Sequence, residues 1–187
     1  MKGNYSLLGY IWSEILEIMK RVVTKIGHIF CIEIDGEYKL FFQYVANDYS
    51  YLNSSVIRVF KNKYPMDYKP NMDEIVKDEV WFSVHVMLNN GVRDGIWYRV
   101  GKHADLGDVE NIMFYGLSEY RVYTNEKGYP SLEHDHTWYI WKINQEFKYL
   151  GPTLPDEYKH LTEGSVFPAQ WVIGKIKTGK FAPLLEE

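Results

Sequence analysis

The chain has a single cysteine, Cys31, among 187 residues, so no internal disulfide can form. A chain this long buries enough surface to fold without one. Cys31 lies inside an apolar run, where a free thiol behaves as a small buried hydrophobe. No stretch of lysine and arginine is dense enough to grip a phosphate backbone, and the net charge is −4, which argues against nucleic acid as a partner. No uninterrupted apolar run reaches membrane-spanning length, because Glu14 and Glu17 break the N-terminal one, so no membrane association is expected. The glycine-rich phosphate loops, the Gly-x-Ser-x-Gly elbow and the His-Glu-x-x-His helix are all missing. With them go the familiar nucleotide, acyl-transfer and zinc-protease chemistries, and no cofactor is expected.

Aromatic residues are abundant at 17%, with 16 Tyr and 6 Trp. Such residues favour strands and interfaces. The organising stretch is 25–45, read as a β-hairpin turning at Asp35-Gly36, a pair suited to the positive φ angles of a type I′ turn. Phe30, Ile32 and Ile34 share one face of its first strand, and Tyr38, Leu40, Phe42 and Tyr44 one face of its second. Ile29, Cys31 and Phe41 make the opposite face apolar too, which predicts a ribbon covered on both sides.

Residues 7–23 repeat Leu8, Ile11, Trp12, Ile15, Ile18, Met19 and Val22 at steps of three and four, the spacing of an amphipathic helix. Met19-Lys20-Arg21 also reads as a natural start, which would make 1–18 an upstream extension; the periodicity favours the helix. The division is then 1–24 as an N-terminal helix and 25–187 as one mainly-β domain. Further strands are expected at 54–60, 81–88, 96–100, 112–115, 120–124, 137–143 and 169–177, with a polar loop at 125–136 and a short helix at 154–160. The expected architecture is mainly β (α+β): a single domain with one twisted antiparallel sheet, or a partly closed barrel, plus the N-terminal helix.

Glu133-His134-Asp135-His136 is the densest group of potential ligands. On a strand, His134 and His136 would point the same way, but two ligands fall short of a closed zinc site. A metal-dependent hydrolase using His134, Asp135 and His136 is therefore the alternative reading, and a ligand- or protein-binding module of unknown partner a further one. Asp105 and Asp108 flank Gly107 in a fragment of a calcium-type loop without its full ligand series.

The run Ile26-Gly27-His28-Ile29-Phe30-Cys31-Ile32-Glu33-Ile34-Asp35-Gly36-Glu37-Tyr38 and its aromatic-rich second strand resemble the start of the immunity protein 26 family. Val56-Ile57-Arg58-Val59-Phe60 looks like that family's next strand, and 81–88 with Ile96-Trp97-Tyr98-Arg99-Val100-Gly101 like its later block. The resemblance covers about 25–115. It implies a cytoplasmic, non-enzymatic antidote that binds and neutralises a cognate toxin of a bacterial polymorphic toxin system. The surface expected to meet that toxin combines the polar loop carrying Tyr129, His134, Asp135 and His136, the nearby Trp138 or Trp141, and the acidic loop with Asp105, Asp108 and Glu110. Aromatics there would anchor, and carboxylates would meet a basic partner.

Overall fold

The computed structural model describes residues 22–183. Within these residues eleven strands run in chain order: β1 (His28–Ile34), β2 (Tyr38–Asp48), β3 (Ser54–Phe60), β4 (Tyr64–Pro65), β5 (Val80–Val86), β6 (Trp97–Lys102), β7 (Met113–Thr124), β8 (Pro130–Lys142), β9 (Lys148–Gly151), β10 (Thr162–Glu163) and β11 (Val166–Phe167). Among the described residues three α-helices accompany them: α1 (Met72–Ile75), α2 (Leu88–Arg93) and α3 (Ala169–Thr178). The strands form two sheets, not a barrel. One has the order β11-β5-β3-β2-β1-β6 with β4 also paired to β2, and the other the order β10-β7-β8-β9. Both sheets are mixed, because β11 runs parallel to β5 and β10 parallel to β7.

The hairpin lies at the centre of the first sheet. Asp35 (φ 53°) and Gly36 (φ 71°) both take positive φ, and Glu37 N donates to Ile34 O at 2.9 Å. The ladder resumes with Ile34 opposite Tyr38, leaving Glu37 as an extra residue beside the turn. Gly36→Val is expected to destabilise the protein by about 1–3 kcal/mol in chemical denaturation, since a β-branched residue resists this backbone region.

Both hairpin faces are covered, each by a different element. Phe30, Ile32, Ile34, Leu40, Phe42 and Tyr44 pack with strand residues of β3 and β5 beneath Ala169, Val172 and Ile176 of α3. On the opposite side Ile29, Cys31, Phe41 and Phe60 pack against Ile75 and Val76 at the end of α1. A third cluster joins the sheets, bringing Val45, Ala46 and Val56 against Phe114, Trp141 and Ile143.

Several expectations are corrected. The stretch expected as a last strand, 169–177, is α3. Its β-branched Val172, Ile173 and Ile176 suggest a strand, but Ala169, Val172 and Ile176 stand at helical spacing and are buried. Pro168 precedes the helix, and Gly179 (φ 79°) ends it by donating its N–H to Lys175 O. The strand expected at 81–88 ends at Val86, and Leu88 opens α2. The polar stretch 125–136 is mostly strand, and the separate strands expected at 112–115 and 120–124 are one long β7. The helix expected over 7–23 lies outside the described residues except for Val22 and Val23, neither of which is helical. No helix among the described residues is long and apolar enough to cross a membrane.

Candidate functional site

β7 and β8 pair from Met113↔Lys142 to Thr124↔Pro130. Their neighbours cover only the inner half. β10 reaches Phe114 and Tyr115, and β9 reaches Trp138 to Ile140. Outward of Leu117 and Thr137, no further strand among the described residues pairs with either, so a two-stranded ribbon roughly 20 Å long projects from the second sheet. Asn125 closes its tip: its Oδ1 accepts from Lys127 N (3.0 Å) and Tyr129 N (3.1 Å), and Gly128 takes φ 79°. Composition concealed this strand, because both faces of a free ribbon can be polar. The Asn125…Gly128 turn was the available signal.

The ribbon's chemistry is set by which side chains share a face. Val122 stands opposite Leu132 and Tyr120 opposite His134. Val122 and Leu132 are each 68% exposed. Ser118, Tyr120, Val122, Asp135 and Thr137 line an open concavity of about 570 Å³, with Tyr149 of β9 as its far wall. This face continues the row that packs inward at Phe114 and Trp141, so alternation carries the row Phe114, Gly116, Ser118, Tyr120 and Val122 of β7 from core to solvent. Glu119, Glu126, Glu133 and Asp135 outnumber Arg121 and Lys127 along the ribbon.

The residues expected from sequence divide between two places. Tyr129, His134, Asp135 and His136 lie on the ribbon. The rings of His134 and His136 stand 4.8 Å apart, and Asp135 accepts from Thr137 Oγ1 at 3.0 Å. Among the described residues no group of three or more His, Cys, Asp and Glu could hold a metal ion. Trp138 is half-buried beside Tyr115 (ring centroids 5.8 Å). Trp141 is 2% exposed and belongs to the inter-sheet core, which removes it from any surface. Asp105, Asp108 and Glu110 are exposed, but their loop is anchored at the ribbon's base. Leu106, Val109 and Ile112 pack on the inter-sheet cluster, and Lys142 Nζ donates to Asn111 Oδ1 at 2.7 Å. Lys142 lies eight residue steps along β8 from His134, roughly 26 Å. The two loops expected to form one patch therefore form two.

Sequence reasoning missed the polar node beneath the ribbon. Asp48, fully buried, accepts from Trp141 Nε1 (2.8 Å) and His85 Nε2 (3.0 Å) on one oxygen. Its other oxygen accepts from Ser50 N (3.1 Å), Ser50 Oγ (2.5 Å) and Asn144 N (3.1 Å). Burial alone would raise the Asp48 pKa, but hydrogen bonds from Ser50, Trp141, His85 and Asn144 together outweigh it and hold it below its ordinary value. Burial lowers the His85 pKa despite Asp48, so the imidazole is neutral, with its proton on Nε2 facing the carboxylate. Its Nδ1 has no hydrogen-bond partner among the described residues. The node fixes the ribbon's root on the first sheet and is closed to substrate.

Fold and surface together describe a two-sheet β protein that presents an open ribbon. The family model for immunity protein 26 matches residues 25–125, more than half of the chain, and the chain belongs to that family. The match runs from β1 through β7, the ribbon's first strand. No curated protein and no solved structure gives a significant match.

Proposed function

We propose that this chain is a cytoplasmic antidote that binds a cognate toxin of a bacterial polymorphic toxin system and blocks it, without catalysis of its own. Membership of the immunity protein 26 family carries the reading. The binding surface in this proposal is the outer ribbon: Tyr120, Val122 and Leu132, with Tyr129, His134, Asp135 and His136 around them and Trp138 at the inner edge. Exposed apolar side chains at the centre of a polar rim are the usual composition of a protein interface. An acidic excess favours a basic partner and speeds encounter.

The loop with Asp105, Asp108 and Glu110 is a second, outlying part of the proposal, reached only by a partner that spans the ribbon's length. Charge reversal on the ribbon, Glu119→Lys with Glu126→Lys, is expected to slow association on the order of tenfold and to flatten its salt dependence, with little change in dissociation. Stopped-flow mixing at two ionic strengths checks this. Co-expression with the toxin encoded beside this gene tests the function itself: cells carrying the parent chain should grow, and cells lacking it should not. Failure to protect against any neighbouring toxin would remove the proposal's support.

A further inference from the structure

Arg58 of β3 is a buried cation with no direct ion pair among the described residues. Only 5% of its surface is exposed. Its hydrogen-bond partners are neutral: Nε donates to Gln43 Oε1 at 3.0 Å, and Nη2 donates to the Asp105 carbonyl at 2.9 Å. Gln43 is itself locked, with Nε2 donating to the carbonyls of Gly27 (3.3 Å) and His103 (3.0 Å). The guanidinium lies 5.1 Å from the centre of the Phe60 ring. Nη1 makes no hydrogen bond among the described residues, yet it is not sealed from solvent. Gly107 (φ 69°) passes so close to Nη1 that a Cβ there would collide with it. The Asp105 carboxylate is turned to Gly107 N at 2.8 Å, and its charge only partly offsets the burial that works against the cation.

Burying a charge among neutral acceptors is costly unless an ion completes the site. Arg58 borders a pocket of about 240 Å³. Ser83, its cross-strand neighbour on β5, lines the same pocket, and Val80, Leu106 and Ile112 supply apolar wall. The volume fits one side chain or one small acid and lies below that of ordinary drug-sized sites.

We propose that this pocket binds a carboxylate carried on a short aliphatic stem. Arg58 Nη1 is the charged donor, the Ser83 hydroxyl is the second donor, and Val80, Leu106 and Ile112 hold the stem. Charge-assisted hydrogen bonds of this kind are the strong ones. Asp108 also lines the pocket and opposes an anion. Both of its oxygens accept from Asn111 Nδ2 (3.0 and 2.8 Å), and it is exposed, so solvent weakens its repulsion. The site lies apart from the outer ribbon and does not depend on the antidote reading.

The test titrates butyrate and glutarate into the purified protein at constant ionic strength, following amide shifts around Ser83 and Leu106. Saturable shifts are expected with both acids and none with butanol or chloride. Ser83→Leu fills the pocket without touching the Arg58 hydrogen bonds, and should weaken binding at least roughly tenfold with the melting temperature retained. Asp108→Asn should tighten it about threefold, by removing the opposing charge. An acetylated tripeptide carrying glutamate distinguishes the sources. Tighter binding than glutarate assigns the carboxylate to a protein chain, and equal binding assigns it to a free acid. Absence of saturation, or affinities that neither variant changes, would overturn the proposal. Val122→Ser with Leu132→Ser should leave these titrations unchanged, so the result stands separately from toxin binding.

Discussion

Asp48→Asn is expected to cost the fold about 3–5 kcal/mol, a large share of the stability of an ordinary domain. The replacement is nearly isosteric, so lost volume plays no part. What changes is hydrogen-bonding sense: both Asp48 oxygens accept, one from Trp141 and His85, the other from Ser50 and Asn144. An amide must set its own N–H groups against one of these donor pairs, whichever way it turns. Stranding buried donors costs more than the net value of the bonds lost. The effect should exceed that of Gly36→Val, where local strain is the only change. Urea denaturation of the two variants gives the comparison, and a loss below about 1 kcal/mol at Asp48 would show that the node is not the joint between the sheets.

The same node sets the acid limit of the fold. His85 has a folded pKa below its ordinary 6.5, so its contribution is complete above that value and is lost as pH falls toward the folded one. Asp48 has a folded pKa below 3.8, so its contribution is present above that value and disappears at lower pH still. Both losses have the same sign. Stability should therefore decline in two stages on acidification, the first beginning near pH 6.5 and shared by His85 and His28, whose pKa burial also lowers. His85→Gln should shrink the first stage of the pH profile, leaving the share that His28 carries.

The hairpin was legible in the sequence because both of its faces are apolar and Asp35-Gly36 can only be a turn. The matching strand at 54–60 was legible for the same reason. Helix α3 was not, because β-branched residues outweighed the boundary signals of Pro168 and Gly179. The outer part of the ribbon's second strand was read as a loop because strand composition assumes a buried face, which it does not have, whereas 120–124 in its first strand was expected as a strand. The Asp48 node had no local signal at all: His85, Trp141 and Asn144 lie 37, 93 and 96 residues away, and only the folded chain brings them to one carboxylate. The residues expected to form one binding surface lie in separate places, with Trp141 in the core, since sequence proximity says nothing about where a 13-residue strand carries its ends.

The second large effect is expected on the ribbon. Tyr120→Ser, Val122→Ser and Leu132→Ser together should weaken toxin binding on the order of 100-fold or more, because a few central apolar anchors carry most of an interface's energy. Val122 and Leu132 are already 68% exposed in the free protein, so their removal creates no cavity. The triple variant should melt with the parent and fail to protect cells. A variant that unfolds would instead give the ribbon a structural role.

Hydrogen exchange of the free chain and of its complex with the toxin tests the central claim most directly. The proposal predicts that backbone amides of 117–137 slow on binding while those of the first sheet keep their free rates. A complex that protects another surface and leaves 117–137 unchanged would contradict the ribbon as the toxin-binding element, and failure of the toxin and this chain to form any complex would contradict the antidote itself.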